Sequence, residues 1–181
     1  MSDDEPDILD AATDAALALA QERPWREVSL REIAERAGVP FAELYAKAPG
    51  KPLLVLRLSQ KLDRAALETA ATASDDPHDR LFDAAMARIE AMEPHRAGLV
   101  SMARGENPVT MATLLPLTAR AILEAAGVSA TAPRLAAMTL VWGRTVQVWR
   151  DDEGALNRTM AEIDKRLRQM RERLKRIGAG Y

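Results

Sequence analysis

Residues Ser29–Leu54 read SLREIAERAGVPFAELYAKAPGKPLL. Ser29 can cap a helix, and Glu32 three residues later completes a capping box. Leu30, Ile33, Ala34 and Ala37 recur at helical spacing, so one face of Ser29–Ala37 is apolar. Gly38 supplies the left-handed conformation that ends a helix at little cost. Pro40 is acceptable at a first helical position, where its missing N–H would be unpaired anyway. Phe41, Leu44, Tyr45 and Ala48 form the apolar side of a second short helix, which Pro49-Gly50 stops before Lys51-Pro52 opens the next. Helix, glycine turn, helix is the layout of a helix-turn-helix, whose second helix can enter the DNA major groove. The plainer reading is a helical hairpin with no nucleic-acid role.

The run Leu30-Arg31-Glu32-Ile33-Ala34-Glu35-Arg36-Ala37-Gly38-Val39, followed by Leu44-Tyr45 and Lys51, resembles the DNA-binding head of the tetracycline-repressor (TetR) family. Upstream, Ile8-Leu9-Asp10-Ala11-Ala12 and the stretch from Trp25 to Leu30 are similar to that family's first helix and its lead-in. The resemblance implies an all-α protein with a helix-turn-helix head at 1–50 and a ligand-binding, dimerising body at 51–181. It implies a regulator that binds palindromic DNA as a homodimer and responds to a small apolar ligand. Pro40, Phe41, Glu43, Tyr45 and Lys47 would then be exposed on the recognition helix, with Arg31 and Lys51 as further DNA contacts.

Several positions depart from the family pattern. Family members usually carry a hydroxyl residue at the position of Pro40 and often at that of Glu43, and basic residues where this chain has Asp3-Asp4-Glu5. A carboxylate at Glu43 is useful in the groove only as an acceptor for a cytosine amino group. From Met1 to Thr72 acids outnumber bases. Phosphate contacts supply most non-specific affinity, so weak binding with a shallow salt slope is expected.

The composition agrees with an all-helical chain. At 181 residues it can bury a sizeable core, and aromatics make up only 4%. It has no cysteine, which excludes a disulfide framework, a thiolate metal site and a thiol nucleophile. No apolar run approaches the roughly 18 residues of a membrane span, and the acidic start MSDDEPD is unlike a signal peptide, so a cytoplasmic protein is expected. The net charge of −2 gives no global attraction to nucleic acid.

Periodicity and breakers predict further helices over Pro6–Gln21, Pro52–Ala73, Pro77–Glu93, His95–Arg104, Pro108–Ala126, Ala130–Arg150 and Glu153–Ile177. Pro116 falls inside one of them and is expected to kink it, because it lacks a donor for residue 112. In the last helix Leu156, Met160, Ile163, Leu167, Met170, Leu174 and Ile177 alternate spacings of four and three. Such a seam suits packing at a shallow angle, within a bundle or across a dimer. The frayed end is expected at Gly178–Tyr181.

No catalytic constellation emerges, and the chain reads as a non-enzyme with no cofactor. His78 and His95, each beside a proline, read as solvated turn residues. Asp75-Asp76 and Asp151-Asp152 read as helix caps. No spacing suits a metal or a phosphate loop. In the body that the resemblance implies, Phe82, Met86, Met102, Met111, Met138 and Trp142 are candidates to line a ligand pocket, since thioethers adapt to irregular shapes. An ordinary core is the alternative. Arg120, Arg144 and Gln147 would meet a ligand's polar end or face solvent. Trp142, Trp149, Met160, Ile163 and Leu167 are candidate anchors of a homodimer interface built from the last two helices.

A second resemblance concerns the C-terminal part. The runs Val148–Glu153 and Thr159–Leu167 look similar to the end of the ubiquinone-biosynthesis accessory protein, a TetR-fold protein. That likeness implies an isoprenoid or quinone ligand, no DNA binding, and peripheral membrane contact through Glu153–Ile177. The basic run Lys165, Arg166, Arg168, Arg171, Arg173, Lys175 and Arg176 would suit such docking. The alternative is a packing helix with a solvated basic face.

Overall fold

The computed structural model describes residues 7–69, 74–152 and 156–181. The acidic arm Asp3-Asp4-Glu5, the expected helix start at Pro6, the end at Ala73 and the start at Glu153 lie outside the described residues. Among the described residues there are helices and no strand. In order they are α1 (Ile8–Glu22), a 3-10 turn (Trp25–Glu27), α2 (Leu30–Ala37), α3 (Phe41–Lys47) and α4 (Lys51–Thr69). There follow α5 (Pro77–Met92), α6 (Arg96–Gly105), α7 (Pro108–Ala125), α8 (Ala132–Arg150) and α9 (Asn157–Arg176). The chain is all-α, as expected, and α7 continues through Pro116 as one helix.

Two compact units divide it. One comprises Met1–Lys61 and His95–Met111; the other comprises Leu62–Pro94 and Ala112–Tyr181. The first unit therefore extends past the expected boundary at residue 50 and takes in α6. The cause is backbone-close packing within that unit. A Cβ on Gly98 would sit 2.8 Å from Leu17 Cδ1 and 3.0 Å from the Leu17 carbonyl oxygen. One on Gly105 would sit 3.0 Å from Arg26 N and from Trp25 Cβ. Only glycine lets α6 lie this near to α1 and the 3-10 turn.

Local signals set the helices of the first unit. Ser29 Oγ accepts from Glu32 N at 3.2 Å, and Glu32 Oε2 accepts from Ser29 N at 2.8 Å, which closes the capping box. Such a cap is worth about 0.5–2 kcal/mol. Gly38 ends α2 at φ +67°. Pro40 lies just outside α3, at its N-cap, with ψ 126°, rather than at the first helical position. Trp25, Ile33 and Leu44 are fully buried and hold the head together.

In the second unit α9 packs on α8 and α5. Ile163 and Leu167 are fully buried, and Met170 and Leu174 nearly so. The middle of the heptad seam is thus consumed inside the chain, while Met160 and Ile177 at its two ends stay exposed. This corrects two expectations at once. Ile163 and Leu167 are core residues rather than dimer anchors, and the apolar stripe required for membrane docking has no free face over these turns. No described helix is long and apolar enough to cross a membrane. Trp142 and Trp149 are also buried, and Trp149 Nε1 donates to Glu93 Oε2 at 2.8 Å. They too are intramolecular, because indoles at these α8 positions find partners on the same chain.

Two further details differ from expectation. His78 is no solvated turn residue: its Nε2 lies 3.1 Å from Asp164 Oδ1 and its side chain is only 14% exposed. The tail is tied down instead of frayed. Arg134 Nε donates to the Ala179 carbonyl at 3.0 Å and Nη2 to that of Gly180, while Ala179 N donates to the Leu174 carbonyl at 2.9 Å.

Candidate nucleic-acid interface

The recognition-helix side chains follow from α3 geometry. Leu44 and Ala48 face inward and are fully buried, so Pro40, Ala42, Glu43, Tyr45, Ala46 and Lys47 are left exposed. Tyr45 is 53% exposed. Phe41 is half-buried and stands 5.8 Å from the Tyr45 ring in a tilted arrangement. The Arg31 guanidinium lies 4.5 Å from the Phe41 ring centroid. Arg31, Phe41 and Tyr45 therefore form one stack spanning α2 and α3, which limits the rotamers of two side chains suited to phosphate contact.

Lys51 does not join this surface. Its Nζ donates to the carbonyl of Trp25 at 2.8 Å and of Val28 at 2.7 Å, and lies 4.4 Å from the Trp25 ring centroid. Burial pulls the ammonium below its ordinary pKa, opposed by the charges of Glu106 and Glu32. The expectation that Lys51 contacts DNA is corrected: two of its three N–H donors go to backbone carbonyls, and the ammonium is seated against the Trp25 ring. The lysine ties the start of α4 to the lead-in of α2.

Electrostatics narrow the interface further. Arg23 pairs with Glu32 at 2.6 Å, Arg36 with Glu22 at 2.7 Å, Arg57 with Asp10 at 2.9 Å, and Lys61 with Asp14 at 2.6 Å. These charges are spent within the unit. Among the described residues, Arg31 and Lys47 are cations near α3 without a carboxylate partner. Glu43 adds an exposed carboxylate on α3.

The other candidates separate. Phe82, Met86, Met138 and Trp142 belong to the second unit, whereas Met102 and Met111 belong to the first. The six do not form one cluster within a unit. Arg120, Arg144 and Gln147 are exposed. A buried polar cluster lies elsewhere in the second unit: Arg88 Nε donates to Asp63 Oδ1 at 2.7 Å, Thr118 Oγ1 donates to the same oxygen at 3.0 Å, and the Arg88 guanidinium lies 5.6 Å from the Trp142 ring centroid. Sequence reading missed it, although Leu81, Ala84, Arg88 and Met92 share a helical stripe.

A groove of about 310 Å³ lies instead between α8 and α9, lined by Ala136, Ala137, Leu140, Arg173, Leu174 and Ile177 among others. Leu140 is 72% exposed and Ile177 69%, with Met160 of α9 at 41%.

Residues 8–58 match the model of bacterial regulatory proteins, tetR family. A TetR transcriptional regulator from Rhodococcus sp. RHA1 superposes with a TM-score of 0.70 at 20% identity, over 88% of this chain and 93% of the other. A tetR-family transcriptional regulator from Streptomyces coelicolor gives 0.58 at 20% identity, over 94% of this chain and 84% of that one. No curated protein matches. Residues 8–58 are thus similar to the tetR-family domain, and the whole chain has the fold of these solved regulators. The similarity of the C-terminal runs to the ubiquinone-biosynthesis accessory protein finds no support in these comparisons.

Proposed function

We propose that this protein is a transcriptional regulator of the TetR type that binds a palindromic operator as a homodimer and releases or gains it on binding a small apolar ligand. The observation that carries the reading is the α2–α3 pair: a capped helix, a glycine turn, and a short helix whose outward face presents Tyr45, Glu43 and Lys47 beside Arg31. A helix presented in this way enters the major groove, and a two-fold dimer puts two such helices in successive grooves. Tyr45, Lys47 and Arg31 contact phosphates, Pro40 and Phe41 shape the approach, and Glu43 accepts from a cytosine amino group.

The dimer forms through the α8–α9 groove, where Leu140 and Ile177 stand exposed beside Ala136, Ala137 and Val141, with Arg166, Gln169 and Arg173 also lining it. The ligand is held in the second unit, among Phe82, Met86, Met138 and Trp142, with the Asp63–Arg88 pair nearby as the polar element.

Selection of random duplexes by the purified protein at about 150 mM salt tests the central claim, because screening there leaves only close contacts. Enrichment of a palindrome supports the regulator and gives the half-site spacing. Absence of enrichment alongside an active control repressor sinks it.

A further inference from the structure

We propose that Glu106, at the end of α6, is a positioning residue for DNA reading, acting through Trp25 and Lys51 on both ends of the helix-turn-helix. The proposal rests on the regulator reading above, and its residues all lie in the first unit.

The path is continuous. Glu106 Oε1 accepts from Asn107 N at 2.9 Å, which orients the carboxylate, and Oε2 accepts from Trp25 Nε1 at 3.0 Å. Trp25 is fully buried, so its indole N–H has to find such a partner. Its backbone is held as well: Trp25 N donates to Ser101 Oγ at 3.0 Å, and that hydroxyl donates to the Arg23 carbonyl at 3.3 Å. Lys51 rests over the held indole and donates to the carbonyls of Trp25 and Val28.

Two junctions meet at this lysine. Val28 immediately precedes Ser29, the cap of α2, and Lys51 begins α4 directly after the Ala48-Pro49-Gly50 corner that ends α3. One ammonium therefore fastens the entrance of the helix-turn-helix to its exit. Among the described residues no carboxylate is paired with it. A partly buried cation is stabilised by nearby anions, and those acting on Lys51 are Glu106 from α6 and Glu32 from α2. Glu32 is already engaged by Ser29 and Arg23. Glu106 thus serves twice, by orienting the indole under the ammonium and by supplying charge. The glycine contacts of α6 fix the distance over which it does so.

The test compares wild type with Glu106→Gln, which keeps an acceptor and removes the charge, with Trp25→Phe, and with the double variant. All are first checked by thermal melts to be folded. On the duplex enriched in selection, each single variant should bind about 2–30-fold more weakly, the range of coupling through packed networks. The double variant should be little worse than either single one, because the residues act in series. Equal affinities, or fully additive losses, would overturn the proposal.

A second readout is independent of DNA. In NMR spectra of the free protein, Glu106→Gln should shift the Lys51 side-chain resonances and the Tyr45 ring. Unchanged Lys51 and Tyr45 signals would overturn the proposal by themselves. If wild type enriches no duplex, the regulator reading fails, and these signals alone decide whether Glu106 positions the head.

Discussion

Arg88 Nε donates to Asp63 Oδ1 at 2.7 Å, with the two side chains only 6% and 10% exposed. This pair joins α5 to the second-unit part of α4, and Thr118 brings in α7 through the same carboxylate oxygen. Burial draws the guanidinium below its ordinary pKa while Asp63 opposes that shift. A charge removed from water is tolerable only with its partner in place.

Asp63→Asn should therefore destabilise the protein by about 3–5 kcal/mol, because it leaves a buried cation without its counter-charge. The double change Asp63→Leu, Arg88→Met should cost much less. Urea denaturation of the two variants and wild type measures the difference; equal losses would show that the pair's charges are immaterial.

Lys47 and Lys51 should differ in kind. Lys47→Gln should reduce the slope of log affinity against log salt by about 1, as expected for one lost phosphate contact. Lys51→Met should lower thermal stability and leave the slope unchanged, since its ammonium is held by carbonyls. A salt titration of both variants on one duplex distinguishes them.

The dimer prediction concerns two surfaces. Leu140→Asp with Ile177→Asp should give a folded monomer by sedimentation, because both side chains are exposed in the isolated chain. Trp149→Ala should instead cost about 3–5 kcal/mol of stability, as a core truncation does. A still-dimeric Leu140→Asp, Ile177→Asp protein would move the interface elsewhere.

Acid should reveal the capping box. The Ser29 hydroxyl, then Arg23 and the Ser29 N–H, hold the Glu32 carboxyl at about 2 against an ordinary 4.5. Because the folded value is depressed, its stabilisation is complete above about pH 4.5 and disappears as pH falls toward 2. The stability gap between wild type and Glu32→Gln should be open at the upper end of this window and close toward the lower. A gap that stays constant across it would contradict the assignment.

Tyr181 offers a contrasting case. Its hydroxyl is buried without a hydrogen-bond partner among the described residues, and burial pushes its pKa up to about 12 from 10.0. The folded state favours the neutral phenol, so wild type should lose stability as pH rises from about 10 to 12. Tyr181→Phe should be at least as stable at neutral pH and lack that alkaline loss.

Much of the head was legible because its determinants are local. The Ser29–Glu32 box, the Gly38 turn and the burial of Leu44 and Ala48 all follow from residues within one or two turns of each other. Periodicity, however, put Tyr45 on the same apolar side, and only the resemblance to the TetR head turned it outward. The resemblance to the TetR head rested on those same residues. Lys51 was misread because its partners lie more than twenty positions away, and spacing along a chain does not show where an ammonium points.

The second unit shows the division most clearly. The α9 seam of Ile163, Leu167, Met170 and Leu174 specified by itself that a helix would bury this face. Periodicity says that an apolar stripe is buried and is silent on what buries it. Only the tertiary structure decided that α8 and α5 do so, leaving Leu140 and Ile177 outside, and that Arg88 lies beside Asp63. Local sequence determines helices, caps and turns through short-range hydrogen bonds and sterics; the pairing of faces and buried charges is settled only when distant segments compete for the same interior.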